Sequence, residues 1–401
     1  MGSGRKGRMV GSNWKGWRLA GAGLTATLLG VGLGRFAYTP LLPAMVAEGW
    51  LSSTQAALLG AFNLAGYLLG ALVAAGLGRR FGAAPVLRVA LGLIVLSLGA
   101  CGWNGGMVWL GCWRFLAGVT GAVLMILPAP LLMARVPADR RPMLAGLVFS
   151  GMGFGIILAG AVLPLLAAGG VALAWAVLGL LGVGLAALSW GQWQPAPLAA
   201  PHAVAGATTG RGMAPLLLFA LAYGADGMGF VPHTLFLSDF VARGLGWGLK
   251  AGGFYWTILG LGAVLGPLLA ARVARTTGFP LALTGALLVK AGAVGLPLLT
   301  ATPAALALSA FLVGALTPGS VALASGVAGL LAGPAGHTAL WGRMTLLFAL
   351  FQAVGGYGMT ALFATTGAYL PLFALGAAVL LLAGGMALAG LVLLQRKEGD
   401  R

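Results

Sequence analysis

Residues 171–190 read VALAWAVLGLLGVGLAALSW, an unbroken apolar run without a charged side chain. About 20 such residues wound as an α-helix cross a hydrocarbon core about 30 Å thick. Within lipid a segment must satisfy its own backbone hydrogen bonds, which a helix does internally. Working outward, the same pattern recurs along the chain. Candidate spans lie at roughly 18–39, 53–77, 86–103, 107–134, 143–166, 171–190, 213–238, 250–271, 279–300, 304–331, 342–366 and 369–394. Turn residues punctuate them: Pro40 and Pro43 after the first, Pro137 and Pro142 after the fourth, Gly278 and Pro280 before the ninth. Only 7% of the 401 residues are charged and 60% are hydrophobic, whereas about 25% are charged in a soluble domain. The expectation is an all-α polytopic membrane protein with twelve transmembrane helices.

The cations test this count. Arg5, Lys6, Arg8, Lys15 and Arg18 precede the first span, and no Lys or Arg lies near Glu48 in the next loop. Arg79, Arg80 and Arg88 follow the second span, none lies near Asn104, and Arg135, Arg140 and Arg141 follow the fourth. The alternation continues through Arg211, Arg272 with Arg275, Arg343, and Arg396 with Lys397 and Arg401; Arg243 and Lys250 alone fall on the other side. Cytoplasmic loops carry the Lys and Arg excess, so both termini are expected in the cytoplasm. The net charge of +17 is then a topology signal and not a nucleic-acid footprint. The basic start before Leu19–Leu33 has the look of a signal peptide, but no small-residue cleavage site follows and Arg35 interrupts the run, so it reads as a retained span. Cys101 and Cys112 form no disulfide framework and read as two small apolar side chains.

Shifting the chain by about 196 residues aligns its halves: Gly82 meets Gly278, Phe115-Leu116-Ala117-Gly118 meets Phe311-Leu312-Val313-Gly314, Gly146 meets Gly342 and Gly160 meets Gly356. At 194, Gly66 meets Gly260. The offset equals six spans, which return the chain to its starting side, so the repeats are parallel. The organisation expected is a tail over 1–17, six-helix bundles over 18–190 and 213–394, a cytoplasmic linker over 191–212 and a tail over 395–401.

This plan resembles the major facilitator superfamily from Arg18 to Leu394. Arg114-Phe115-Leu116-Ala117-Gly118 is similar to its fourth-helix arginine-plus-glycine motif, and Gly151-Met152-Gly153-Phe154-Gly155 with Gly160 to its fifth-helix glycine motif. The loop Gly78-Arg79-Arg80-Phe81-Gly82 departs from the usual pattern, since Arg79 stands where an Asp normally precedes the first Arg. Gly32-Leu33-Gly34-Arg35-Phe36-Ala37-Tyr38-Thr39-Pro40-Leu41-Leu42-Pro43 and Asn63-Leu64-Ala65-Gly66-Tyr67-Leu68-Leu69-Gly70 resemble the bacterial YbfB/YjiJ-type branch. The resemblance implies a secondary active transporter in the bacterial cytoplasmic (inner) membrane. It also implies that the first, fourth, seventh and tenth spans line a central cavity.

Ionisable groups inside a bilayer cost about 2.5–3.5 kcal/mol each on insertion scales and mark function by default. Arg35, Arg114, Asp226 and Lys290 lie well within spans. Arg35 and Arg114 are candidates for substrate binding or gating, because a guanidinium forks onto carboxylate or phosphate. Each equally suits a structural contact. Together they favour an organic anion, unless Asp226 neutralises one of them. Asp226, in Tyr223-Gly224-Ala225-Asp226-Gly227-Met228-Gly229-Phe230, is a proton-coupling candidate in a glycine-rich stretch suited to local unwinding, or else one half of a fixed Arg–Asp pair. His233 is a second titratable candidate or a hydrogen-bonded residue at the interface. Lys290 is expected to snorkel or pair with a neighbouring helix. Asn63, Tyr67, Tyr255, Trp256, Gln352 and Tyr357 are candidates to shape a substrate site or to make interhelical contacts. Pro128, Pro130, Pro267 and Pro318 are expected to kink helices that rock.

No phosphate-binding glycine loop is present, so substrate gradients or protons must drive transport. An intramembrane enzyme would need a reactive cluster that three His and one mid-span Asp do not supply. The expected partners are a small-molecule substrate, protons and the lipid bilayer, with no cofactor or metal and a monomeric chain. The alternatives are multidrug or metabolite efflux and a non-transporting sensor or assembly subunit.

Overall fold

The computed structural model describes residues 16–133, 135, 141–194 and 213–399. Among them are twelve helices long and apolar enough to cross a membrane. They are α1 (Gly16–Ala47), α2 (Ser53–Phe81), α3 (Ala83–Ala100), α4 (Gly106–Ile126), α5 (Leu147–Ala167), α6 (Val171–Trp190), α7 (Met213–Gly244), α8 (Gly248–Thr277), α9 (Phe279–Leu299), α10 (Pro303–Gly333), α11 (Ala339–Thr366) and α12 (Leu370–Arg396). Arg5, Lys6, Arg8, Lys15, Pro137, Arg140, Arg211 and Arg401 lie outside the described residues, as does the linker from 195 to 212.

Two boundaries correct the sequence reading. Pro40 and Pro43 do not end α1; the helix Tyr38–Ala47 carries both. Pro40 sits in its first turn, where a missing N–H costs least. α7 runs on to Gly244 and not to residue 238. Pro128 does mark a break: after a bend at Leu127 a short helix, Pro128–Met133, follows α4. Between Pro303 and Thr366 the non-helical dihedrals fall at Gly333 (φ 67°), the turn between α10 and α11, and not at Pro318.

The internal repeat is visible in how glycines pack. Helix association in lipid relies on close packing of small residues. A Cβ on Gly66 would lie 2.0 Å from Phe115 O, and one on Gly262 would lie 2.2 Å from Phe311 O. Gly70 meets Val119 O as Gly266 meets Ala315 O, and Gly118 meets Asn63 O as Gly314 meets Leu259 O. Each pair of contacts is related by the same 196-residue shift, so the α2–α4 crossing is repeated at α8–α10. The partner of Gly66 is therefore Gly262, not Gly260. The fifth-helix glycines divide their work. Gly151 and Gly155 admit the backbone of α1, at Leu24 O and Gly32, while Gly153 admits Val264 of α8.

Contacts between the two halves concentrate at the end away from the chain termini. There α5 meets α8 at Gly160–Gly253 and Gly260–Ile157, and α2 meets α11 at Leu64–Gly356. A cluster of Ala57, Leu64, Val231, Leu235, Phe236, Ala353 and Met359 fills the seam. Thr39 donates to Thr234 O across it at 2.6 Å.

Candidate functional site

The site begins where α1 stops being a regular helix. Leu28–Leu33 is a π segment, residues 34–37 form turns, and regular helix resumes at Tyr38. The carbonyls exposed there take the guanidinium of Arg114 from α4: Nη1 donates to Gly34 O at 2.7 Å and Nη2 to Arg35 O at 3.2 Å. Arg114 is 1% exposed and lies over the Tyr38 ring, 4.7 Å from its centroid. Its geometry is that of a clamp on α1. α7 repeats the device with π segments at Pro232–Phe236 and Phe240–Gly244. The loosened turns lie beyond Asp226, which sits in regular helix.

From Leu29 to Met45 every residue is buried except Arg35. Its guanidinium carbon stands 4.8 Å from the Phe36 ring centroid and 5.5 Å from that of Tyr67. No described carboxylate pairs with it, and its Nη2 is buried without a hydrogen-bond partner. Correspondingly, from Ala222 to Ala242 every residue is buried except Met228, which packs with Leu68 against the seam cluster. Between the halves a cavity of about 10 Å³ is lined by Arg35, Phe36, Tyr38, Asn63, Arg114 and Leu235 among others. That is room for about one water. A larger space of about 590 Å³ opens between α3 and α6, lined by Val95, Leu96, Val183 and Trp190. It is an apolar groove.

Asp226 does not meet either arginine. Its Oδ1 accepts from Lys290 Nζ of α9 at 2.7 Å, and both side chains are completely buried. The sequence reading placed Lys290 at the periphery, snorkelling or paired; it is paired, with its ammonium 4.6 Å from the Phe230 ring centroid. The reason is depth: at the middle of α9 a lysine stem reaches a carboxylate on α7 sooner than it reaches water. Asp226 Oδ2 has no partner. His233 is also fully buried and not interfacial, because α7 continues past it. Ser309 donates to Ala293 O at 2.6 Å, so its oxygen accepts from His233 Nε2 at 2.7 Å. That bond puts a proton on Nε2.

The sequence reading missed a second charged group. Asp239 accepts both ends of the Arg243 guanidinium and the Tyr369 hydroxyl at 2.6 Å. Arg243 Nη1 also donates to Ser53 Oγ of the opposite half at 2.7 Å. Burial and the Asp239 carboxylate push the Tyr369 hydroxyl up, so it remains a proton donor. Arg243, which broke the charge alternation, is thus neutralised by its neighbour four residues back. That i, i+4 spacing was the available signal.

The remaining candidates scatter. Asn63 Nδ2 donates to Arg114 O at 2.9 Å and leaves Oδ1 without a partner in the cavity wall. Trp256 is buried 6.0 Å from the Phe36 ring, with Nε1 unpartnered. Tyr67 faces Arg35. Gln352 is buried with Nε2 unpartnered, one helical turn from Gly356, on the α11 face turned to α2. Tyr357 touches Phe62 edge-on across the halves. Tyr255 is set apart: its hydroxyl donates to Pro303 O, and its ring lies against Trp247 and Phe254 at the start of α8. Cys101 is buried, Cys112 is exposed, and both are free.

Two six-helix repeats meeting at broken central helices, with an unpaired cation between them, define a major facilitator-type membrane transporter. Its family model, described as "Uncharacterised MFS-type transporter YbfB", matches residues 27–388, and the chain belongs to that family. In overall fold it is similar to a bacterial homologue of the human lysosomal transporter Spinster, solved inward-facing and unoccupied. That match has TM-score 0.67 and 15% identity, covering 97% of this chain and 98% of the other. No curated protein sequence matches the chain. Fold and family make it a multi-pass transporter of small molecules and not an enzyme.

Proposed function

We propose that this transporter moves a small organic anion across the bacterial cytoplasmic membrane by alternating access, with both termini in the cytoplasm and a monomer as the working unit. The observation that carries the anion is Arg35, a cation open to the space between the halves and paired with no described carboxylate. Of the other buried charges, Asp226 pairs with Lys290 and Asp239 with Arg243, while the Arg114 N–H groups are taken by the Gly34 and Arg35 carbonyls. Orientation rests on Arg79, Arg80, Arg272, Arg275, Arg343 and Arg396, which gather at the end of the termini. The end where the two halves pack together is then the outer one.

For the driving ion we propose protons, accepted at Asp239 in preference to Asp226 or His233. Access supports this choice. Asp226 and His233 are held by Lys290 and Ser309 inside the carboxy-terminal bundle, whereas Asp239 sits beside Ser53, where the bundles must part. Loss of the Asp239 charge would loosen Arg243 and with it the bond to Ser53. The test is anion uptake into proteoliposomes under an imposed pH gradient. Asp239→Asn is expected to keep anion exchange and lose uphill accumulation. Accumulation at the level of the parent would remove Asp239 from the proposal.

A further inference from the structure

We propose that the groove between α3 and α6 binds one anionic phospholipid from the leaflet beside the chain termini, with an acyl chain in the groove and the headgroup phosphate on Arg88. The groove, of about 590 Å³, is lined by Gly92 and Val95 of α3 and by Val183, Ala186 and Trp190 of α6, among others. At Gly92 a Cβ would meet nothing within 4 Å, so the missing side chain leaves open space. Trp190, the last residue of α6, is 45% exposed. Tryptophan at a span end sits at headgroup depth, which makes this the interfacial end of the groove.

A cation stands at that same end. Arg88 lies one turn before Gly92 on α3. Its Nε donates to Trp190 O at 3.3 Å and its Nη2 to Trp193 O at 2.6 Å, which fixes the guanidinium beside Trp190. Nη1 makes no hydrogen bond to the described residues, and no described carboxylate pairs with the group. An apolar channel ending at an unneutralised guanidinium suits an amphiphile with a phosphate head. A second copy of the chain suits it less. Two copies inserted the same way would set the cationic ends that carry Arg79, Arg80 and Arg88 at one depth, like charge beside like charge.

The internal repeat supplies an independent observation. The 196-residue shift carries Gly92 to Leu288 and Arg88 to Thr284. Leu288 fills the corresponding place between α9 and α12: a Cβ on Gly384 would lie 2.4 Å from its Cδ2. Thr284 is buried and donates to Pro280 O of its own helix at 2.9 Å. The half that fills this place with leucine therefore lacks the arginine, and the half that leaves it open carries one. Open groove and cation go together, as a single binding site requires.

The test is native mass spectrometry of the full chain in detergent, titrated with dioleoyl phosphatidylglycerol or dioleoyl phosphatidylcholine. The parent should hold one phosphatidylglycerol about fivefold more tightly than phosphatidylcholine. Arg88→Gln should abolish that preference, while Arg88→Lys, which keeps the charge, should retain most of it. Gly92→Leu, which copies the other half, should lose the tightly held lipid with Arg88 in place. Arg275→Gln, in another cationic loop, should change nothing. Equal retention of the two lipids by the parent, retention unchanged in Gly92→Leu, or Arg275→Gln acting like Arg88→Gln would overturn the site. A dimer that Gly92→Leu dissolves would assign the groove to a second copy and overturn it too. None of these readouts depends on the transported substrate.

Discussion

Replacing Asp226 by Asn keeps the side-chain shape and deletes the charge that holds Lys290. At 2.7 Å and an effective dielectric near 20, the attraction removed is about 6 kcal/mol. Burying the two ions already cost several kcal/mol each, so the intact pair is nearly neutral for stability. The variant keeps the ammonium's cost and loses its compensation, a penalty of about 3–5 kcal/mol. A ceiling exists, because lysine can shed its proton; at pH 7 that costs about 4.6 kcal/mol from an ordinary value near 10.4. The ceiling falls by about 1.4 kcal/mol for each pH unit the buffer is raised. Removing both charges, Asp226→Leu with Lys290→Met, should return stability to within about 1 kcal/mol of the parent or exceed it. The assay is equilibrium unfolding in mixed detergent micelles, run as a double-mutant cycle at pH 7 and 9. Asp226→Asn should lose at least about 3 kcal/mol at pH 7 and less at pH 9, with strong coupling between the sites. Single variants within about 0.5 kcal/mol of the parent, or additive effects, would refute the reasoning.

Three other outcomes follow from the packing. Gly118→Ala and Gly314→Ala each drive a methyl into a backbone carbonyl 2.1 or 2.0 Å away. Each should destabilise by about 1–3 kcal/mol in the same unfolding assay, while Gly285→Ala, with open space around it, should not. Arg114→Lys cannot span the Gly34 and Arg35 carbonyls; a loss of about 1.5–3 kcal/mol is expected, read as a lower unfolding midpoint and weaker anion binding. Asp239→Asn should loosen the end where the two halves pack together. In a Cys112→Ser background, a cysteine at buried Thr39 should then react faster with a membrane-impermeant maleimide applied from outside.

Span number, helical class and the internal repeat were legible because hydrophobic length, loop charge and glycine spacing are local properties of the chain. The offset of Phe115–Gly118 from Phe311–Gly314 already contained the two matching helix crossings. Less legible was who meets whom inside. Lys290 and Asp226 are 64 residues apart, and nothing local says that α9 points its lysine at α7 instead of at an arginine-bearing span. Arg114 had the composition of a substrate contact, and its bonds to the Gly34 and Arg35 carbonyls depend on α1 leaving regular helix over residues 28–37, which the sequence did not announce. Asp239 was hidden by a span boundary drawn one residue too early.

The most direct measurement is exchange of a labelled organic anion, chosen from acids that raise the parent's unfolding midpoint, by proteoliposomes loaded with the same unlabelled acid. The parent is predicted to exchange well above protein-free vesicles, with Arg35→Lys reduced about tenfold in apparent affinity and Arg35→Gln at background. Organic acids without exchange in the parent, or Arg35→Gln exchanging like the parent, would contradict the claim that this arginine carries an anion between the two bundles.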